Sequence, residues 1–133
     1  MTINDRDRCR LGHLLTSAET AAFGSSRLRS DLETTLEEAT TIPAECTPCE
    51  LVTMNSTVGL IDLESGERQH CTLVYPDDRD LVRNSVEILQ RLGLCLLGRR
   101  IGDMVEVQDG NRARRFRIDS IPYQPEAAGD THR

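Results

Sequence analysis

The sequence contains no lysine and no tryptophan, and all 16 of its basic side chains are therefore arginines. Guanidinium groups prefer planar, bidentate partners such as carboxylates and phosphates. The chain also carries 22 acidic residues, which gives a net charge of −6. Non-specific nucleic-acid binding depends on neutralising phosphates with a basic surface. The net negative charge therefore disfavours direct binding to nucleic acid and favours a protein partner.

Aromatic residues are scarce, with two phenylalanines and two tyrosines. Stacking platforms and aromatic ligand pockets need several rings, so we expect no small-molecule substrate. No apolar run approaches the ~20 residues that cross a membrane, and the charged start MTINDRDRCR lacks the apolar stretch of a secretory signal. The sequence therefore predicts a cytoplasmic protein that does not bind membranes.

The sequence shows no set of residues at the spacing typical of a catalytic or metal-binding site. The three histidines are dispersed, with no nucleophile or acid at triad-like spacing, and there is no glycine-rich phosphate loop. The acidic stretch Asp77–Asp80 lacks the ordered glycine and distal glutamate of a calcium loop. We expect no catalytic residue, no metal and no cofactor.

Cys46-Thr-Pro-Cys49 is the one short motif with known chemistry, because two thiols at this spacing bind zinc or cycle as a disulfide. A structural zinc needs four ligands, and the sequence has no second C-x-x-C. The strand-to-helix context of redox motifs is missing as well. Reduced cysteines without a function are the favoured interpretation, and a disulfide or a metal site stay as alternatives.

The stretch Val52–Pro76 is the centre of the predicted fold. Apolar and polar residues alternate on two arms, which predicts two β-strands joined across Glu64, Ser65 and Gly66. A second hairpin is predicted from Met104–Gln108 and Ala113–Ile121 around the turn dipeptide Asp109-Gly110.

Two helices are predicted before this region. Leucines and alanines recur at helical spacing from residue 2 to about 22, with Asn4 or Asp5 as the N-cap, and again from Leu28 to Ala39. The short connection between them predicts an antiparallel hairpin. Pro43 and Pro48 oppose further helix, so we place the boundary between two domains here, at residues 1–49 and 50–133.

The carboxyl-terminal part adds a short strand at Ser85–Leu89 and a short buried helix at Leu92–Leu97. Strand alternation places Phe116 and Ile118 inward and their arginine neighbours outward. The polar tail YQPEAAGDTHR, residues 123–133, is expected on the surface. Together these patterns predict an α+β protein: a short helical hairpin followed by an antiparallel β-domain with one short helix.

Several of these segments resemble the Rnk proteins, known as regulators of nucleoside diphosphate kinase, and through them the GreA/GreB transcript-cleavage factors. The resemblance is carried by the start of the chain, by the central strands and by the tail, in Ile3–Asp5, Leu14-Leu15, Val52–Ser56, Val58, Thr72–Pro76, Leu96–Gly98, Gly102-Asp103 and Tyr123–Asp130. It implies an FKBP-like carboxyl-terminal domain that docks on RNA polymerase and a helical hairpin aimed at the secondary channel, so that any nucleic-acid contact is made through the polymerase complex.

In the Gre factors, acidic residues at the tip of a long coiled coil help to hold a metal ion for RNA cleavage. The hairpin here is shorter, and its turn region offers only Glu19. The resemblance therefore implies a non-enzymatic regulator that acts sterically at the channel. An FKBP-like peptidyl-prolyl isomerase or chaperone-like module is the alternative, and control of nucleoside diphosphate kinase is left open as direct or through expression.

The sequence departs from these relatives where they have a strand and a proline-containing turn before the buried helix. This region is implicated in docking on the polymerase rim, and the proline is replaced here by Arg91. The candidate polymerase-binding residues are Glu87, Leu89, Gln90, Arg91, Arg99 and Arg100.

Overall fold

In a computed structural model, the described residues are 2–16, 26–75, 84–88, 90–109 and 111–129. Five strands form one sheet: β3 (Thr57–Asp62), β4 (Arg68–Val74), β5 (Ser85–Glu87), β6 (Met104–Asp109) and β7 (Arg112–Tyr123). Their order across the sheet is β5-β4-β3-β7-β6. Most neighbouring strands are antiparallel, whereas β5 runs parallel to β4.

The predicted central hairpin is confirmed as β3 and β4. Thr57 pairs with Thr72 and Ile61 with Arg68, and Gly66 in the turn has φ 75°. The inward residues form part of the core, including Val58 and Leu60 of β3. The alternation predicted for β7 is also confirmed, with Phe116 and Ile118 buried and Arg115 and Arg117 exposed.

The two helices near the amino terminus are α1 (Asp5–Thr16) and α2 (Ser26–Glu38). The side-chain oxygen of Asn4 accepts the backbone N–H of Asp7 at 2.8 Å, which confirms Asn4 as the N-cap. The predicted helix began too early, because Thr2–Asn4 form strand β1, which pairs in parallel with β2 (Thr40–Ile42). The segment 17–25, with Glu19, lies outside the described residues.

The predicted linker contains β2 and a 3₁₀ helix at Ala44–Cys46. The short buried helix is α3 (Arg91–Leu96), and Gly98, two residues after its end, has φ 78°. Helix α2 contacts both α1 and α3. Leu11 and Leu32 of the helices therefore belong to the same core cluster as Leu60 and Ile118 of the sheet.

The tail does not lie wholly on the surface as predicted. Residues Pro125–Ala128 form helix α4, and Gln124 and Pro125 are buried. The amide nitrogen of Gln124 donates to the carbonyl oxygens of Pro48 and Leu51, at 2.7 Å each. These bonds satisfy backbone acceptors in the segment before β3, which explains why a polar side chain is buried here.

The predicted α+β class is confirmed, with α4 as an additional short helix. Within the described ranges, no helix is both long and apolar enough to cross a membrane.

Candidate functional site

Helix α3 and its flanks carry the predicted polymerase-binding residues, and their position depends on Gly93. A Cβ atom at Gly93 would lie 2.0 Å from the carbonyl oxygen of Glu87, far inside van der Waals contact. Only a residue without a side chain allows α3 to pack this closely on the end of β5. The glycine therefore fixes the helix against the sheet.

The amino-terminal flank of α3 is a small hydrogen-bonded turn. The backbone N–H of Glu87 donates to the side-chain oxygen of Gln90, and the N–H of Gln90 donates to the carbonyl oxygen of Glu87, both at 3.0 Å. Arg91 reaches across to β6, where its guanidinium donates to the carbonyl oxygen of Gln108 at 3.2 Å. Gln90 and Arg91 are exposed and held in place by these bonds.

The carboxyl-terminal flank carries Arg99 and Arg100. The guanidinium of Arg99 donates to the carbonyl oxygen of Cys95 at 3.3 Å, which satisfies an acceptor at the end of α3. Arg100 forms an ion pair with Glu50 at 3.1 Å, and its backbone N–H donates to the carboxylate of Asp103. Both side chains are exposed, so these contacts orient the guanidinium groups without burying them.

The structure places Glu87, Gln90 and Arg91 together at the start of α3 and Arg99 and Arg100 just beyond its end. Six helical residues span only about 9 Å, so both groups flank one short element. Leu89 and Glu19 lie outside the described residues.

Two exposed apolar side chains follow the carboxyl-terminal flank, namely Ile101 (45% exposed) and Met104 (67% exposed). Sequence reasoning missed them because Met104 was assigned only to a strand. Oriented guanidinium groups beside exposed apolar side chains are typical of protein-binding surfaces, where arginine and methionine are enriched. The surface formed by these residues is therefore suited to binding another protein.

A second group of polar residues lies at the base of α1, and we call Arg6, Asp7, Thr53 and Glu126 the basal cluster. Arg6 forms an ion pair with Glu126, whose side chain is only 5% exposed. The other carboxylate oxygen of Glu126 accepts the hydroxyl group of Thr53 at 2.6 Å. Asp7 is 2% exposed and accepts the backbone N–H of Met54 at 3.0 Å.

Burial raises the pKa of Asp7 to about 7. The hydrogen bond from Met54 lowers it, the negative charge of Glu126 raises it, and Arg6 and Arg10 lower it by smaller amounts. Desolvation prevails because a buried carboxylate loses its hydration, and one backbone donor replaces only part of it.

Sequence reasoning missed the basal cluster, although two signals were present. Asp7 lies one helical turn before Leu11, on the face that Leu11 buries. Pro125 and Gly129 bracket α4 in the order that favours a helix, with proline at its start and glycine, at φ 79°, after its end.

All five cysteines are free thiols, with Cys9, Cys46 and Cys49 exposed and Cys71 buried. Across the described part of the chain, no three His, Cys, Asp or Glu side chains are grouped closely enough to hold a metal ion. The C-x-x-C motif therefore has no third protein ligand among these residues.

Comparison with known proteins gives the family. The family described as "Transcription elongation factor, GreA/GreB, C-term" matches residues 47–123. A regulator of nucleoside diphosphate kinase from Escherichia coli K12 is 35% identical over 129 residues, covering 96% of this chain and 93% of that protein. The chain belongs to the Rnk family, related to the GreA/GreB factors.

Other relatives of this Rnk family member are elongation factors. A GreA from Solidesulfovibrio magneticus is 33% identical over 82 residues, which cover 61% of this chain and half of that protein. A solved GreA/GreB elongation factor from Nitrosomonas europaea superposes with a TM-score of 0.76 at 37% identity, covering 92% of this chain and 99% of that one. The predicted resemblance is confirmed, and the protein is a regulator of the Rnk/GreA/GreB type.

Proposed function

We propose that this protein binds RNA polymerase in the bacterial cytoplasm and regulates transcription elongation sterically at the secondary channel, without stimulating transcript cleavage. The observation that carries the proposal is the shared architecture with the Nitrosomonas europaea elongation factor, which includes the helices as well as the sheet. The β-domain, residues 50–133, provides the docking surface and residues 1–49 provide the helices that crowd the channel.

The docking surface is formed by the flanks of α3, with Arg91, Arg99 and Arg100 as its charged residues. Their guanidinium groups are held by backbone carbonyls or by Glu50, so little side-chain entropy remains to be lost on binding. Ile101 and Met104, which follow Arg100 in the sequence, add exposed apolar side chains. This surface fits a partner segment that combines carboxylates with apolar side chains.

A steric mechanism is supported by the size and composition of the helical part. Helices α1 and α2 have 12 and 13 residues, about 18 and 20 Å. Between them, residues 17–25 contain Glu19 as their only carboxylate. Metal-assisted hydrolysis needs a group of ligands to hold the ion, and one carboxylate does not provide it.

The binding experiment is a pull-down of purified core RNA polymerase with the tagged protein. The double variant Arg99→Glu/Arg100→Glu should lose most of the binding, because two of the three arginine charges on the docking surface are reversed. The variant Arg68→Glu/Arg112→Glu makes the same change in charge on β4 and β7, and should bind like the wild type.

Circular dichroism of each variant establishes that it is folded, which matters because Arg100 pairs with Glu50. Equal binding by wild type and Arg99→Glu/Arg100→Glu would remove these arginines from the proposal. No binding by the wild-type protein would refute it. Release of short 3′ RNA fragments from stalled elongation complexes would refute the absence of cleavage.

The relative from Escherichia coli is named for an effect on nucleoside diphosphate kinase, which favours a second candidate function. We propose that this effect, if shared, acts through expression. Purified kinase should then keep its activity when the protein is added, and a change in activity would indicate direct contact.

A further inference from the structure

The basal cluster joins three segments that are far apart in the sequence. Asp7 and Arg6 come from the first turn of α1, Thr53 and Met54 from the turn before β3, and Glu126 from α4. The carboxyl group of Asp7 accepts the backbone N–H of Met54, which ties α1 directly to the backbone of that turn. The protonation state of Asp7 therefore affects the stability of the contact between α1 and the turn.

Within the described part of the chain, the charged and titratable groups that face Asp7 come from three elements. Arg6 and Arg10 lie on α1 itself, Glu126 faces it from α4, and Tyr75 faces it from the end of β4. The hydroxyl group of Tyr75 stays neutral, because burial and the negative charge of Asp7 both raise its pKa. Asp7 and Glu126 are thus two buried carboxyl groups that share the positive charge of nearby arginines.

Ionisation of Asp7 affects this site in two ways. It places a second negative charge beside Glu126, and it places that charge where little water reaches it, at 2% exposure. The hydrogen bond from Met54 is strengthened by the charge, but a single bond does not replace a hydration shell. The protonated form is therefore the one that suits the closed contact.

We propose that Asp7 is a proton-operated latch: the neutral carboxyl group holds α1 against the Met54 turn, and its ionisation loosens the helix from the sheet. This proposal does not depend on which partner the helices contact. It predicts that pH near neutrality changes the position of α1 relative to the sheet and leaves the β-domain itself unchanged.

The direction of the effect follows from proton linkage. The pKa of Asp7 is about 7 in the closed state and has an ordinary value of 3.8 when exposed. The closed state therefore binds more protons between these values, so it is favoured at low pH and becomes less stable as the pH rises towards 7. Above that value the loss is complete and no further change is expected.

The test is amide hydrogen exchange of the full chain, corrected for the intrinsic exchange rate, at about pH 5 and about pH 8. The Met54 amide and the amides of α1 should lose roughly tenfold or more of their protection at the higher pH. Asp7→Asn keeps an oxygen that accepts from Met54 but cannot ionise, so it should show little dependence on pH.

Asp31→Asn is the matched control, because Asp31 is an exposed aspartate on α2 and its removal should leave the wild-type pH dependence intact. Protection that does not change with pH in the wild type, or a dependence that persists in Asp7→Asn, would overturn the latch. If Asp7→Asn does not fold, carbon NMR titration of the wild-type Asp7 carboxyl decides: a midpoint near 7 supports the proposal, and one near 4 refutes it.

Discussion

The carboxylate of Glu126 accepts a hydrogen bond from the hydroxyl group of Thr53 at 2.6 Å, which ties helix α4 to the turn before β3. The same carboxylate forms an ion pair with Arg6 of α1. One side chain near the end of the chain thus links the first helix and the sheet.

Glu126→Gln should destabilise the protein by about 3 kcal/mol, because it removes the charge that compensates a mostly buried guanidinium group, with Arg6 at 18% exposure. Urea denaturation measures the change. Glu64→Gln is the control, since Glu64 pairs with Arg112 on the surface at 3.8 Å and should contribute less than about 1 kcal/mol. Equal losses in the two variants would contradict the role of Glu126.

The two helical glycines Gly93 and Gly12 should respond in opposite directions to alanine. Gly93→Ala places a methyl group against the carbonyl oxygen of Glu87 and should cost about 3 kcal/mol. Gly12→Ala meets nothing within 4 Å in α1 and should stabilise by roughly 1 kcal/mol, because alanine favours helix. Thermal unfolding of both variants distinguishes these outcomes, and a harmless Gly93→Ala would show that α3 shifts easily.

The cysteines should divide into two classes of reactivity. Burial raises the pKa of Cys71 to about 11, against an ordinary value of 9.0, which lowers its thiolate fraction near pH 8 by about a hundredfold. Cys46 and Cys49 are exposed and should react first with iodoacetamide, as peptide mass spectrometry would show. In urea the difference should vanish, and rapid labelling of Cys71 in the folded protein would contradict its burial.

Strands were predicted well where one face is buried and the other is solvated. In β7 the apolar residues Phe116 and Ile118 alternate with Arg115 and Arg117. This two-residue period of the sequence matches the alternation of buried and exposed side chains. The pairing of β5 with β4 could not be predicted in the same way. Residues 75–84 separate these strands, and a connection of this length does not fix the direction of the strand that follows it.

Charged residues were harder to place, because the usual environment of an aspartate or glutamate is water. Asp7 and Glu126 are buried only because distant segments bring a backbone donor, a hydroxyl group and a guanidinium to them. Helical spacing places Asp7 on the same buried face as Leu11. It does not indicate which residues of other segments contact the Asp7 carboxyl group. The residues on the two flanks of α3 were predicted from the family resemblance, whereas the fixed geometry of their side chains depends on contacts with β6 and Glu50.

The contacts between α3 and β6 also bear on self-association. Strand β6 lies at the edge of the sheet, where unpaired backbone groups can recruit a strand from another molecule. The opposite edge, β5, has only three residues. In β6, the guanidinium of Arg91 and the thiol of Cys95 already donate to the carbonyl oxygens of Gln108 and Glu106. These two carbonyl oxygens are therefore not free to pair with an added strand.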